Sequence, residues 1–146
     1  MRKVEAFIEI FVHPQTALQA FTDLNHLKKW WGVDRALTDK QEGGLYSLVW
    51  NDKKEGPGYV FSGIVKSCQP GRMLEIENIV YVNPEHAILG PMSLVIRFVG
   101  NENKTAMHLS QEGFGKGKEW DWYFNTVKES WPKVLLDLKS YLESLG

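Results

Sequence analysis

Along residues 3–12 apolar and polar side chains alternate with a period of two. Val4, Ala6, Ile8, Ile10 and Val12 fall on one face, and Lys3, Glu5 and Glu9 on the other. That is the pattern of a strand with one face against a core. Phe7 and Phe11 share the polar face, which predicts that part of it is covered. The period then changes. Pro14 suits the first turn of a helix, where its missing N–H costs nothing, with His13 as the cap and Ala17, Leu18, Phe21 and Leu24 as the apolar side. A second short helix over residues 24–30, with Asn25 as cap, is stopped at Trp31-Gly32.

From residue 45 the period of two returns in short runs punctuated by glycine, proline and asparagine: residues 45–50, 59–68, 73–82, 92–99 and 105–112. Residues 51–58 and 100–103 read as hairpin connections. In the run 73–82, Leu74, Ile76 and Val80 are expected to face inward. In the last run the inward set is Thr105, Met107, Leu109 and Gln111. From Gly117 onward one long amphipathic helix is predicted. Its stripe is Trp120, Phe124, Val127, Trp131, Val134, Leu138, Tyr141 or Leu142, and Leu145, with Trp122 and Tyr123 off it. Pro132 removes one backbone hydrogen bond and is expected to kink the helix near Lys128. A helix this long must bury its stripe against a sheet. The expected architecture is α+β: a curved antiparallel sheet of six to seven strands wrapped around a long C-terminal helix, with two short helices after the first strand, in one domain over residues 1–146.

Composition narrows the function classes. The chain has 146 residues with 17 basic and 18 acidic side chains, a balance that argues against nucleic-acid binding. A lone cysteine, Cys68, makes no intrachain disulfide and fits a reducing compartment. No apolar run approaches the ~20 residues that span a bilayer, and the alternating N-terminal segment lacks the apolar core of an export signal. A cytoplasmic location is the expectation. The outlying feature is aromatic content, with six Trp, five Tyr and seven Phe.

Some of these residues carry a resemblance. Ala20-Phe21-Thr22-Asp23 followed by Lys29-Trp30-Trp31-Gly32 resembles the "ALTD…WWG" opening of bacterial proteins similar to the C-terminal domain of the activator of heat shock protein 90 ATPase. Gly43-Gly44 is similar to their glycine pair before the second strand. Gln111-Glu112-Gly113-Phe114 resembles their "HEGF" segment, with Gln in the His place. Trp131 through Val134-Leu135, Leu138-Lys139 and Tyr141-Leu142-Glu143 resembles their "GW…VL..LK.YLE" ending. The resemblance covers the whole chain in order. It implies the helix-grip, or START-like (SRPBCC), fold. The family has no shared catalytic set, and its wider superfamily holds lipid carriers, plant hormone binders, polyketide cyclases and ring-hydroxylase subunits. Fold analogy alone does not choose among them.

Candidate chemistry is sparse. His13, His26, His86 and His108 are scattered without metal-ligand spacing, so no metal site is expected; His86 lies in a loop able to overhang a pocket mouth. Cys68 has no context that lowers a thiol pKa. Glu119 and Asp121 read as acids complementing a helix dipole. Gly113-Phe114-Gly115-Lys116-Gly117 lacks the ending of a phosphate loop and reads as a turn. No cofactor motif is present.

The aromatic set is what remains. Trp30, Trp31, Tyr46, Trp50, Phe61, Phe98, Trp120, Phe124 and Trp131, with Met107, either fill a core or line a cavity under the long helix. Gln111 is polar on an inward parity, so its amide either bonds a neighbouring turn or orients a ligand. Three functions follow: binding of a small apolar or aromatic molecule, regulation of a heat-shock ATPase as the resemblance implies, or a cyclase- or hydrolase-type reaction in the same cavity. Monomer and homodimer both fit.

Overall fold

The computed structural model describes residues 2–56 and 58–145. Strand β1 (Lys3–Ile10) is followed by helices α1 (Pro14–Thr22) and α2 (Leu24–Trp31). Then come strands β2 (Arg35–Thr38), β3 (Leu45–Trp50), β4 (Tyr59–Gln69), β5 (Met73–Val82), β6 (Leu89–Asn101) and β7 (Lys104–Glu112), and the closing helix α3 (Lys118–Leu145). The seven strands form one antiparallel sheet in the order β1-β7-β6-β5-β4-β3-β2. Helix α3 crosses this sheet near β1 and touches α2. This is the helix-grip architecture that the alternating runs and the long stripe predict. Among the described residues no helix is long and apolar enough to cross a membrane.

The caps show how local sequence sets the helices. His13 Nδ1 accepts the Gln15 N–H at 3.0 Å, as expected for the first helix. The second cap is Asp23 rather than Asn25: its carboxylate accepts the Asn25 N–H at 2.8 Å. Leu24 therefore opens α2 on an exposed face instead of closing the core side of α1. Gly32 ends α2 in the left-handed conformation.

Two strands depart from their sequence pattern, and both departures shape the interior. Strand β2, a four-residue edge strand, is too short to show periodicity. In β5 the register slips between Ile76 and Ile79. Asn78 takes a positive φ of 52° there, so Ile79 turns inward and is fully buried while Val80 turns out. That is a β-bulge, which bends a strand and increases its twist. Opposite it, β4 slips between Ser62 and Ile64. Gly63 sits at that slip because a Cβ there would lie 2.8 Å from the Glu77 carbonyl oxygen and from Ile76 and Ile79 side-chain carbons. The paired slips bend and twist β4 and β5 where they adjoin. They also carry Tyr81, two residues past Ile79, to the inner face.

The helix stripe is rotated from its expected line. The buried positions of α3 are Tyr123, Val127, Trp131, Leu135, Leu138 and Leu142. Tyr123 is thus a core-facing residue, Leu135 takes the place of Val134, and Leu145 is exposed. The helix continues through Pro132. The outer face of β1 stays open. Phe7 is 72% exposed with its ring stacked on His108, and Phe11 lies beneath the Lys139 ammonium. The proline expected in the β3–β4 connection, Pro57, lies outside the described residues.

A candidate ligand cleft between the sheet and the long helix

Between the sheet and α3 lies a cleft of ≈ 340 Å³. Its sheet side is Trp50 of β3, Tyr59 and Phe61 of β4, Tyr81 of β5 and Gln111 of β7. Its helix side is one flank of α3 from Tyr123 to Val134, and Trp31 at the end of α2 closes one end. The wall is mostly aromatic and its rings brace one another. Trp31 stacks on Trp30 with centroids 4.9 Å apart, meets Trp50 edge-on at 5.2 Å, and reaches Trp131 at 5.6 Å. The Trp50 indole N–H donates to the Trp31 carbonyl at 3.0 Å, which fixes the corner between β3 and α2. On the far side Tyr81 stacks on Tyr123 at 4.6 Å. Rings held this way present a stiff apolar surface with little rotamer freedom left to lose.

Of the eleven residues singled out from the sequence, the structure brings five to this cleft: Trp31, Trp50, Phe61, Gln111 and Trp131. The others sit elsewhere for identifiable reasons. Trp30 is buried behind Trp31, its indole donating to the Ala20 carbonyl at 2.9 Å. The Tyr46 hydroxyl donates to the Phe21 carbonyl at 2.6 Å and pins β3 to α1. Phe98 packs edge-on to Phe21 in the core, and Met107 is likewise buried there. Trp120 and Phe124 lie on the other flank of α3, where both pack around Phe114, with the Arg2 guanidinium above Phe124. They seat the Gly113–Gly117 turn that feeds the helix. Sequence parity left out Tyr59, Tyr81 and Tyr123. For Tyr123 a signal existed: the spacing 123, 127, 131, 135 is an unbroken four-residue series.

Gln111 bonds the long helix rather than a neighbouring turn, and it lines the cleft. Its amide oxygen accepts the Trp131 indole N–H at 2.8 Å, tying the sheet to the middle of α3. Its amide nitrogen lies 3.5 Å from both the Met92 sulfur and the Tyr123 hydroxyl. On α3 the Thr126 and Ser130 hydroxyls donate to the helix carbonyls of Trp122 and Thr126, at 2.8 and 2.7 Å. Among the described residues the cleft lining contains no carboxylate, imidazole, thiol or amine, and no group of three His, Cys, Asp or Glu side chains is placed to hold a metal. The Glu119 carboxylate and His86 meet at 2.8 Å outside the lining, where His86 stacks flat on Trp122 at 3.6 Å. That pair fastens the β5–β6 loop to the first turn of α3, and the His86 hydrogen bond lowers the Glu119 pKa.

Burial raises the pKa of Tyr123, Tyr46 and Tyr81 above the ordinary value of 10.0. A phenol with a raised folded-state pKa contributes stability that is complete below its unfolded value and is lost as pH rises above it. Tyr46 and Tyr123 are therefore expected to release their protons only together with alkaline unfolding. Phenolate absorbance followed alongside circular dichroism checks this. All five tyrosines ionising while the fold persists would contradict it.

The fold and the aromatic cleft together define a helix-grip, START-like protein, in which the cavity lies between a curved sheet and its C-terminal helix. The model of the activator of Hsp90 ATPase homolog 1-like proteins matches residues 12–143, and the chain belongs to that family. Solved structures of similar fold include the Aha1 dimer of Colwellia psychrerythraea, at TM-score 0.72 and 18% identity over 98% of this chain and 97% of that one. An Hsp90 activator from Plasmodium falciparum superposes at TM-score 0.74 and 18% identity, again over 98% and 97% of the two chains. A Mesorhizobium loti protein does so at 0.76 and 16%, over 99% of both. At these identities the likeness is one of fold. No curated protein sequence matches the chain.

Proposed function

We propose that the protein binds a small hydrophobic or aromatic molecule in the cleft between β3–β5 and α3. The observation that carries this is the braced, open aromatic wall of Trp31, Trp50, Tyr81 and Trp131 around ≈ 340 Å³ of unfilled space. A concave, mostly apolar site of a few hundred Å3 is what small-molecule sites look like. An acid–base reaction of the cyclase or hydrolase kind is disfavoured because the lining offers no pair of groups titrating near neutrality. Titrating tryptophan fluorescence with fluorene, a flat neutral hydrocarbon, is expected to show saturable one-to-one quenching. Trp50→Ala is expected to weaken that binding about tenfold or more, by removing one ring of the wall. Quenching that never saturates, or that Trp50→Ala leaves unchanged, contradicts the reading.

A second reading, regulation of a heat-shock ATPase, is favoured by the family and by the Plasmodium falciparum Hsp90 activator among the structures of similar fold. Its test is a chaperone ATPase assay with the chaperone of the same organism; stimulation would support it. The aromatic cleft is not explained by that role, so ligand binding ranks first.

A further inference from the structure

The polar groups of the cleft wall form a chain with a fixed direction. An indole N–H is a donor only. Because Trp131 donates to Gln111 Oε1 at 2.8 Å, the amide oxygen is taken up by the helix and the amide NH₂ is turned toward Met92 and Tyr123. The Tyr123 oxygen, 3.5 Å from that NH₂, stands as the acceptor. Its own proton is left to donate, and no described residue accepts it. Tyr123 lines the cleft and is otherwise buried, at 5% exposed, so its hydroxyl meets what occupies the cleft. An occupant that displaces water from this donor without offering an acceptor would lose that hydrogen bond, so a fitting occupant carries one. Of the other lining hydroxyls only that of half-buried Tyr81, stacked on Tyr123, offers a second proton of the same kind. Those of Thr126 and Ser130 spend their protons on helix carbonyls, and Tyr59, at 37% exposed, stays with water.

Charge limits the occupant further. No described lining residue is charged. A carboxylate entering this wall would lose water without meeting a cation, and an ammonium would lose it without meeting an anion. We infer that the cleft selects a flat, uncharged aromatic molecule carrying a carbonyl oxygen, which accepts the Tyr123 hydroxyl while its rings lie against Trp31, Trp50 and Tyr81. This rests on the ligand-binding reading above and names the ligand class of the same site.

Fluorene and fluorenone share one tricyclic skeleton and differ by a CH₂ replaced with a C=O, so their affinity ratio reads the hydrogen bond. The ratio in the native protein is compared with that in Tyr123→Phe, which cancels their unequal solubility. The expected result is a fluorenone preference about three- to tenfold larger in the native protein than in the variant, the worth of one neutral hydrogen bond. Fluorenone carboxylate is expected to bind the native protein at least about tenfold more weakly than fluorenone. The infrared carbonyl stretch of fluorenone bound to the native protein gives a readout that needs no variant, and is expected at the lower frequency seen in alcohols. Equal ratios in the two proteins, or an unshifted stretch, overturns this inference and leaves the cleft reading standing. Binding of neither fluorene nor fluorenone overturns both.

Discussion

Truncating Trp131 to alanine is expected to destabilise the protein by about 3–5 kcal/mol, the cost of deleting a large buried aromatic. Three things are lost together. The ring is buried at the centre of α3, it touches Trp31 across the end of the cleft, and its N–H is the partner of Gln111. Phenylalanine at the same position separates these contributions. It keeps most of the packing and leaves the Gln111 oxygen without a donor, so it is expected to cost about 1–3 kcal/mol. Denaturant midpoints at constant m-value give both numbers. Equal losses for the two variants would mean that the hydrogen bond, and not the ring, holds the helix to the sheet. No loss in either would remove Trp131 from the core.

Replacing Gly113 by valine is the second large effect. Gly113 has a φ of +96°, and a Cβ there would lie 2.9 Å from the Met92 Cα and the Pro91 carbonyl oxygen. Left-handed backbone costs a side-chain-bearing residue about 1–2 kcal/mol, and forcing extra atoms into packed structure costs about 1–3 kcal/mol. The expected loss is therefore about 2–5 kcal/mol. Gly117 is the control: its φ is +115°, but nothing lies near its Cβ position. Gly117→Ala is expected to lose only the backbone share, about 1–2 kcal/mol. Thermal melts of the two variants compare them directly. If both cost the same, close packing of β6 against the turn does not require the first glycine. The glycine-rich stretch is then a turn that aims α3, as its sequence suggests, and the aim of α3 decides where Tyr123 points.

The sequence made the fold legible because its signals are long. The alternation from Thr105 to Gln111 fixes four buried side chains on one parity, and all four are buried. The final helix announces itself over seven turns. What was not legible depends on single residues that reset a pattern. Asn78 at positive φ flips the parity of β5, so Ile79 and Tyr81 face inward where an unbroken strand would present Val80. A four-residue edge strand carries no measurable period. On α3 the apolar stripe is wide enough to admit two lines. The sequence favours the one with the larger side chains, Trp120 and Phe124, and the fold uses those to seat the turn around Phe114 instead. Tyr123 reads as an amphipathic surface residue, and only the spacing to Val127 and Trp131 marks it as buried. The cleft was half visible: its tryptophans stand out by composition, and its tyrosines depend on bulge geometry and helix rotation.

The indole N–H signals of the six tryptophans in a two-dimensional NMR spectrum report on the cleft and on its surroundings at once. Trp31, Trp50 and Trp131 line the cleft, whereas Trp120 lies on the opposite flank of α3 beside Phe114. Titration with fluorenone is expected to move the first three along one saturable curve and leave Trp120 in place. Three unmoved cleft signals, or a shift of Trp120 as large as theirs, would contradict a ligand site between the sheet and the helix.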